Sequence, residues 1–435
     1  MATAARNLET SGPAPYSDRY RRYVLGLLVV VYVFNFIDRQ ILTILGEDIR
    51  KEIGFSDTIF GLLTGPAFAI LYTFVGIPIG FWADTGTRRS IVALALFFWS
   101  LMTTLTGFVG NLGQLIVTRI GVGIGEAGGS PPSHSILSDI FPPDRRATAL
   151  ATYSLGIPIG GGLGLLLGGW FAHFFGWRMA FVIVGIPGLV LALLVRFTVR
   201  EPVRGGSDPT RTANDPPESL VAVMRFLRKL PSFVHMSIGA SLHALYGYAA
   251  AAFVPVFLIR VHHMERAEVG TWLGTITITV GVLGTFLGGA ISDRIAARDP
   301  RWYMRVPAVA SAIGIPFAFL FYLWPDPRTA ILLSIPGSLI GGVYLGPTFA
   351  MTQSLVRPNM RALASAILLF IINLIGLGLG PLLVGILSDK LRPTYGDESV
   401  RYALLWVVVI GASWATLQYL LAGRTLARDL QAKHA

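Results

Sequence analysis

A chain of 435 residues that is 53% hydrophobic and only 14% charged, with mean hydropathy +0.62, is too apolar for an ordinary water-soluble protein, in which charged residues make up about 25%. It contains no cysteine, which excludes disulfides, thiolate metal ligands and thiol nucleophiles. The net charge of +11 is spread over short segments between apolar runs instead of forming one patch. That distribution fits membrane topology and argues against a nucleic-acid partner.

In chain order, residues 1–18 are rich in Ala, Pro and Ser and read as a disordered tail. The basic cluster Arg19, Arg21 and Arg22 leads directly into a long apolar run. That run exceeds a signal-peptide core and lacks a small-residue cleavage pattern, so a retained first helix is expected. Apolar runs bounded by charge, Pro or Gly predict twelve membrane helices, over 22–46, 57–83, 89–109, 112–139, 147–173, 178–198, 232–259, 269–292, 304–324, 328–353, 362–388 and 401–422. Each meets the roughly 20 residues needed to cross a hydrocarbon core of about 30 Å. Most of the 35 Lys and Arg residues fall on the side holding both termini, which makes that side cytoplasmic by the positive-inside rule. The expected setting is a bacterial inner membrane, with the chain a monomer.

The segment between the sixth and seventh spans is the one long connection. Arg204 to Pro217 is polar and rich in Pro and Gly, the composition of a linker. From Glu218 to Leu230, Leu220, Val223, Met224 and Leu227 fall at helical spacing opposite Arg225, Arg228 and Lys229. Both a helix on the lipid surface and a plain basic linker fit this pattern. The fold class expected is all-α, with an N-terminal six-helix half over 19–200, a linker over 201–231, a C-terminal six-helix half over 232–424 and a cytoplasmic tail over 425–435. The halves repeat weakly: Gly80-Phe-Trp-Ala-Asp84 ends the second span and Gly289-Ala-Ile-Ser-Asp293 ends the eighth. Two related halves around a central site are the architecture of alternating-access carriers.

Four ionisable residues, Asp38, Arg39, Arg119 and Glu126, lie within the spans of the first half. Charge in hydrocarbon is costly, so each is by default a functional residue in need of a partner. Asn35 lies three residues before Asp38 and four before Arg39, so the three share one flank of a helix. Arg119 and Glu126 are seven apart, on one face, roughly 10 Å apart along the axis. Gly123 and Gly125 between them allow close approach of a helix or substrate. Counting from Glu47 and Asn111 at the outer span ends places Asp38 and Arg119 both roughly 12–14 Å deep. They are therefore expected to pair, with Glu126 two turns deeper and without a cation at its level. A carboxylate so placed takes up a proton near neutral pH. Hence Glu126 and Asp38 are the candidate proton-coupling residues. Arg39 and Arg119 are candidates for an anionic head group, since guanidinium suits phosphate and carboxylate geometry.

Gly80-x-x-Ala83-Asp84-x-Gly86-x-Arg88-Arg89 resembles the signature loop of the major facilitator superfamily, with Thr85 where a basic residue is usual. Leu115-x-x-x-Arg119-x-x-x-Gly123-x-Gly125-Glu126-Ala127 resembles its fourth-helix signature. Gly156-Ile-Pro158-Ile-Gly160-Gly161-Gly162 resembles the fifth-helix motif frequent in exporters, with Ile157 in place of a glycine. Within the superfamily, Asn35-Phe-Ile-Asp38-Arg39, Gly125-Glu126-Ala127 and the stretch Gly376-Leu-Gly378-Leu-Gly380-Pro381 with Ser388-Asp389 resemble the Spinster family of lipid transporters. This resemblance implies lysophospholipid or sphingolipid-like substrates. Organic-anion symporters share the Asp-Arg pair and the Arg…Glu-Ala pattern, so the charged residues alone leave both substrate classes open. The resemblance also implies gating contacts: Asp84 facing the start of the eleventh helix near Arg361, and Arg88 pairing with Asp139, which closes helix four.

The second half offers few polar groups within its spans. His243 and Tyr246 share a face, and with Asn373 they are candidate substrate contacts. Trp99, Trp324 and Trp406 read as belt or packing residues. No cofactor or metal is expected, and no Ser-His-acid set or phosphate-binding loop is present, which argues against an enzyme and against direct nucleotide drive. A charged contact in one half and an apolar wall in the other suit an amphipathic anion. The function expected is proton-coupled secondary transport of a lipid-like anion, with membrane lipids as neighbours and a sugar-acid symporter as the alternative.

Overall fold

The computed structural model describes residues 16–204 and 218–432, and among them the long elements are all helices. Helix one spans Asp18–Ile53; helix two, Asp57–Thr64 and Pro66–Thr85; helix three, Arg88–Thr106; helix four, Leu112–Glu126 and Ser130–Ile140. Helix five starts with Pro143–Ser154 and enters a run, Gly156–Thr198, that turns at Gly176 (φ 79°) to give helix six. A linker helix, Leu220–Arg228, precedes helix seven, Pro231–Arg260. Helix eight comprises Arg266–Ile276 and Val282–Ala296, and helix nine Trp302–Leu323. Helix ten comprises Pro327–Gly341 and Leu345–Leu355, helix eleven Arg361–Ile372 and Gly378–Tyr395, and helix twelve Ser399–Ala432.

Nine stretches of the described residues are long and apolar enough to cross a membrane. Two of these, Pro143–Thr198 and Leu363–Gln431, contain the turns at Gly176 and Gly396, and helix four is a further, broken span. The helices are therefore consistent with the twelve expected from the sequence.

Boundaries differ where local chemistry overrides hydropathy. Helix one is longer than expected because Ser17 caps its start, accepting from Tyr20 N at 3.3 Å, and Gly54 ends it in the left-handed region (φ 78°), where glycine carries no Cβ penalty. Helix four breaks after Glu126, ahead of Pro131 and Pro132, which cannot donate to the preceding turn. Helix twelve continues through most of the stretch expected as a tail. There Leu426 and Asp429 are buried, and Asp429 Oδ2 accepts from Ser232 N at 2.9 Å. The expected disordered segment 1–15 and the polar linker over 205–217 lie outside the described residues.

Contacts between the two halves concentrate near the face opposite the chain termini. There helix five meets helix eight, helix two meets helix eleven, and helix one meets helix seven. The seams are close enough to require glycine: a Cβ on Gly270 would collide with the Leu165 carbonyl, and one on Gly61 with the Pro381 carbonyl. Toward the face of the termini, 282–296 packs on helices nine and ten, and 361–372 on helices seven and ten and the linker helix. Helices eight and eleven each carry a π-turn, Thr277–Gly281 and Asn373–Leu377, between these two regions.

Leucine at Gly270 is expected to destabilise the seam by overpacking, costing about 1–3 kcal/mol. A thermal melt of the purified variant in detergent checks this, and an unchanged midpoint would show that the seam tolerates a side chain.

Candidate functional site

Arg39 is the centre of the buried charge cluster. Its Nε donates to Glu126 Oε2 at 2.6 Å, and its guanidinium carbon lies 4.8, 4.6 and 5.0 Å from the ring centres of Phe36, Phe68 and Tyr72. Aromatic faces attract a weakly hydrated guanidinium, most strongly where water is excluded. Arg119 donates from Nη1 to the main-chain carbonyl of Asp38 at a long 3.4 Å, and its Nε has no partner.

Two expectations are thereby corrected. Asp38 and Arg119 do not pair through their side chains, and Glu126 is not without a cation. The reason is geometric. Depth counting locates backbone atoms, whereas an arginine carries its charge far along a flexible stem. Successive residues on a helix also diverge by about 100°, so adjacent Asp38 and Arg39 serve different neighbours.

Asp38 is fully buried against helix three. Trp99 Nε1 and Thr103 Oγ1 lie beside its carboxylate and are the donors that face it. Gly125 of helix four brings helix three this close, since a Cβ there would lie 2.8 Å from Trp99 N. Asn35 lies beside Glu126 as its second polar neighbour. Arg119 Nε has no partner, and leaving a polar group buried and unpaired is costly.

Arg39 and Arg119 face a cavity of about 60 Å³ between the halves, which Phe68, Tyr248, Leu377 and Pro381 help to line. A larger cavity of about 330 Å³ lies within the second half, walled by Val254, Phe317, Phe321, Tyr322 and Leu333 among others. Gln40 and Ala251 line both, so the charged and apolar spaces adjoin. Tyr246 and Ser311 line the larger cavity. His243 stands behind them, 1% exposed: its Nδ1 is 3.1 Å from Ser311 Oγ and 2.7 Å from the Tyr246 hydroxyl, and its ring stacks on Tyr344. Asn373 opens the π-turn of helix eleven and lines neither cavity. Among the described residues no three His, Asp or Glu side chains come together as a metal site.

The face opposite the termini holds a second charge cluster that the sequence reading missed. Arg260 of helix seven donates to both carboxylate oxygens of Asp57, at 2.6 and 2.7 Å, and to Glu47 Oε2 at 2.7 and 3.1 Å. Arg50 binds the other Glu47 oxygen at 2.7 Å, and Ser388 Oγ donates to Asp57 Oδ2 at 2.7 Å. Asp389 accepts from the main-chain N–H groups of Asp57 and Thr58 at 3.1 and 2.8 Å, capping the start of helix two from the other half. Arg260, Glu47 and Asp57 are all buried. Their positions at span ends made them look like topology charges, and only their convergence sets them apart.

At the face of the termini, Arg88 is 1% exposed. It is bonded to Asp139, to Ser135 Oγ at 2.7 Å, to Glu201 Oε1 at 2.8 Å and to the Pro202 carbonyl at 2.8 Å. Asp84 and Arg361 are both exposed and form no ion pair with each other. The halves are thus ionically joined at one face, and Asp84 and Arg361 make no such join at the other.

Buried charge lining a cavity between two helical halves, with ionic closure at one face, is the arrangement of a membrane transporter. The model of the Major Facilitator Superfamily matches residues 28–381, and the chain belongs to that superfamily. Within it the chain resembles the Spinster proteins. It is 32% identical to a bacterial homolog of the human lysosomal transporter Spinster, solved in an inward-facing, unoccupied conformation, with a TM-score of 0.83 over 95% of this chain and 99% of that one. It is 35% identical to an MFS-type efflux pump of Mycolicibacterium smegmatis over 99% of both chains. It is 29% identical to the sphingosine-1-phosphate transporter SPNS2 of Danio rerio, over 89% of this chain and 81% of that protein.

Replacing Arg260 by Gln leaves Asp57 buried without a cation and Glu47 with Arg50 but not Arg260, a loss of about 3–5 kcal/mol for a broken buried pair. The expected outcome is that spin-label distances across the face opposite the termini lengthen. An unaltered distance distribution would remove the cluster from any part in holding that face closed.

Proposed function

We propose that this transporter moves an amphipathic, lipid-like anion by proton-coupled alternating access. The observation that carries this reading is the pair of adjoining cavities: two guanidinium groups beside the smaller one, and an apolar space of about 330 Å³ within the second half. A phosphate or carboxylate head group placed against Arg39 and Arg119 would leave its apolar chain facing Val254, Phe317, Phe321 and Leu333. A sugar acid would find hydroxyls there, on Tyr246, Thr277, Ser311, Ser334 and Ser338, but most of the lining is aliphatic, aromatic or glycine. Relatives that bear the Spinster name, and one named for sphingosine-1-phosphate, support a lysophospholipid or sphingolipid-like cargo.

In this reading Glu126 and the substrate anion compete for Arg39. Protonation of Glu126 frees the guanidinium, and binding of the anion then satisfies it. Asp38, fully buried beside Arg119, is the second proton site. Asn35 orients Glu126, while Tyr246, supported by His243, contacts the chain region of the substrate; Asn373 acts through the bend of helix eleven. Asp84 latches to the start of helix eleven near Arg361 when the face of the termini closes, with Arg88 and Asp139 anchoring the adjoining loop. The chain works as a monomer in a bacterial inner membrane, with both termini cytoplasmic, so that the geometry described here opens inward.

Proteoliposomes under an imposed pH gradient test the assignment. Uptake of labelled lysophospholipid or sphingoid lipid is expected to follow the gradient, to resist competition by sugar acids, and to lose its pH dependence in Glu126→Gln. Arg39→Gln is expected to lower substrate affinity roughly tenfold or more, since charge-assisted hydrogen bonds contribute about 1.5–3 kcal/mol. Saturation by hydrophilic sugar acids, without competition from lysolipids, would reverse the substrate class. Unchanged gradient dependence in Glu126→Gln would remove the proton role.

A further inference from the structure

We propose that the linker helix, Leu220–Arg228, is a docking surface for an anionic bilayer face, and that this contact fixes the start of helix eleven. The helix has two distinct apolar surfaces. Val223 and Leu227 are buried in one cluster with Leu230, Phe233, Met360 and Ala364, which fastens the helix to the starts of helices seven and eleven. Leu220, Val221 and Met224 remain exposed on the adjoining surface. At 100° per residue these three fall within a little over a quarter of the circumference, too compact a group to be incidental on a nine-residue helix.

The charged groups choose the occupant. Arg228 projects from the same sector as the exposed apolar residues, and Arg225 and Lys229 follow on its flank. All three are exposed, and no carboxylate among the described residues pairs with them. An apolar sector edged by cations that no described carboxylate pairs matches the boundary between acyl chains and anionic head groups. Arginine and lysine stems extend along apolar surface while their charges reach head groups. The linker helix packs on helices seven and eleven, both long and apolar enough to cross a membrane, so a bilayer face lies within reach of this surface.

The consequence concerns gating. The first part of helix eleven, Arg361–Ile372, is the part that leaves the other half, and beyond it lies the π-turn at Asn373–Leu377. A linker helix held on the bilayer holds Arg361 with it. Anionic lipid therefore sets where the end of helix eleven stands relative to the first half, whatever solute is carried.

The chain has no cysteine, so single labels report cleanly on the full-length protein. A nitroxide at Val221→Cys is read in vesicles of phosphatidylcholine alone and with added phosphatidylglycerol. Phosphatidylglycerol is expected to raise its collisions with oxygen relative to a water-soluble nickel chelate. It is also expected to shift the distance between labels at Thr87→Cys and Arg357→Cys. Substituting Arg225→Gln, Arg228→Gln and Lys229→Gln together should abolish both responses, and high salt should weaken them. A label equally exposed to water in both vesicle types would overturn the docking surface, as would a triple variant that responds like its parent. Reproduction of the response by inorganic phosphate with phosphatidylcholine vesicles would assign the cations to a soluble anion instead. A depth change without a distance change would overturn the link to helix eleven.

Discussion

The Arg260 cluster is the interaction on which the arrangement of the halves depends. One guanidinium from the second half holds two carboxylates from the first, and every group in it is buried. Ions removed from water repay their desolvation only where geometry is good and the remaining valences are filled. Here Arg50, Ser388 and Asp389 fill them or cap the adjoining backbone. Glycine seams beneath the cluster let backbones touch, so dispersion and ion pairing close the same face.

The central cluster is built in the opposite way. Glu126 has one oxygen bound to Arg39, Asp38 has Trp99 and Thr103 beside it and no cation bonded to its carboxylate, and Arg119 Nε has no partner. A fully satisfied buried network specifies one arrangement, and a partly satisfied one leaves polar valences open. The aromatic ring faces around Arg39 keep its charge in place without using its remaining donors.

The second half contributes shape more than charge. Its larger cavity is walled mainly by aliphatic and aromatic side chains, and its two crossing helices are interrupted by π-turns at the level where they leave the first half. Thr277 and Thr279 donate back to the Leu273 and Thr275 carbonyls, at 2.7 Å each, which offers the backbone a competing partner and commonly bends a helix.

The sequence by itself determined the class of the molecule. Apolar runs near 20 residues, charge confined to their ends and a handful of intramembrane ions leave little but a helical membrane bundle, because hydrocarbon admits no unsatisfied backbone. It also singled out Asp38, Arg39, Arg119 and Glu126, since any charge so placed is costly enough to stand out. What it did not determine was who pairs with whom. Residue counting fixes the height of a Cα, while a long side chain moves its charge by more than a turn, which turned an expected Asp38–Arg119 pair into Arg39–Glu126. Arg260, Glu47 and Asp57 were passed over for a related reason. At a span end a buried ion and a solvated one look alike in sequence, and only folding, by bringing distant helix ends together, makes one of them a lock.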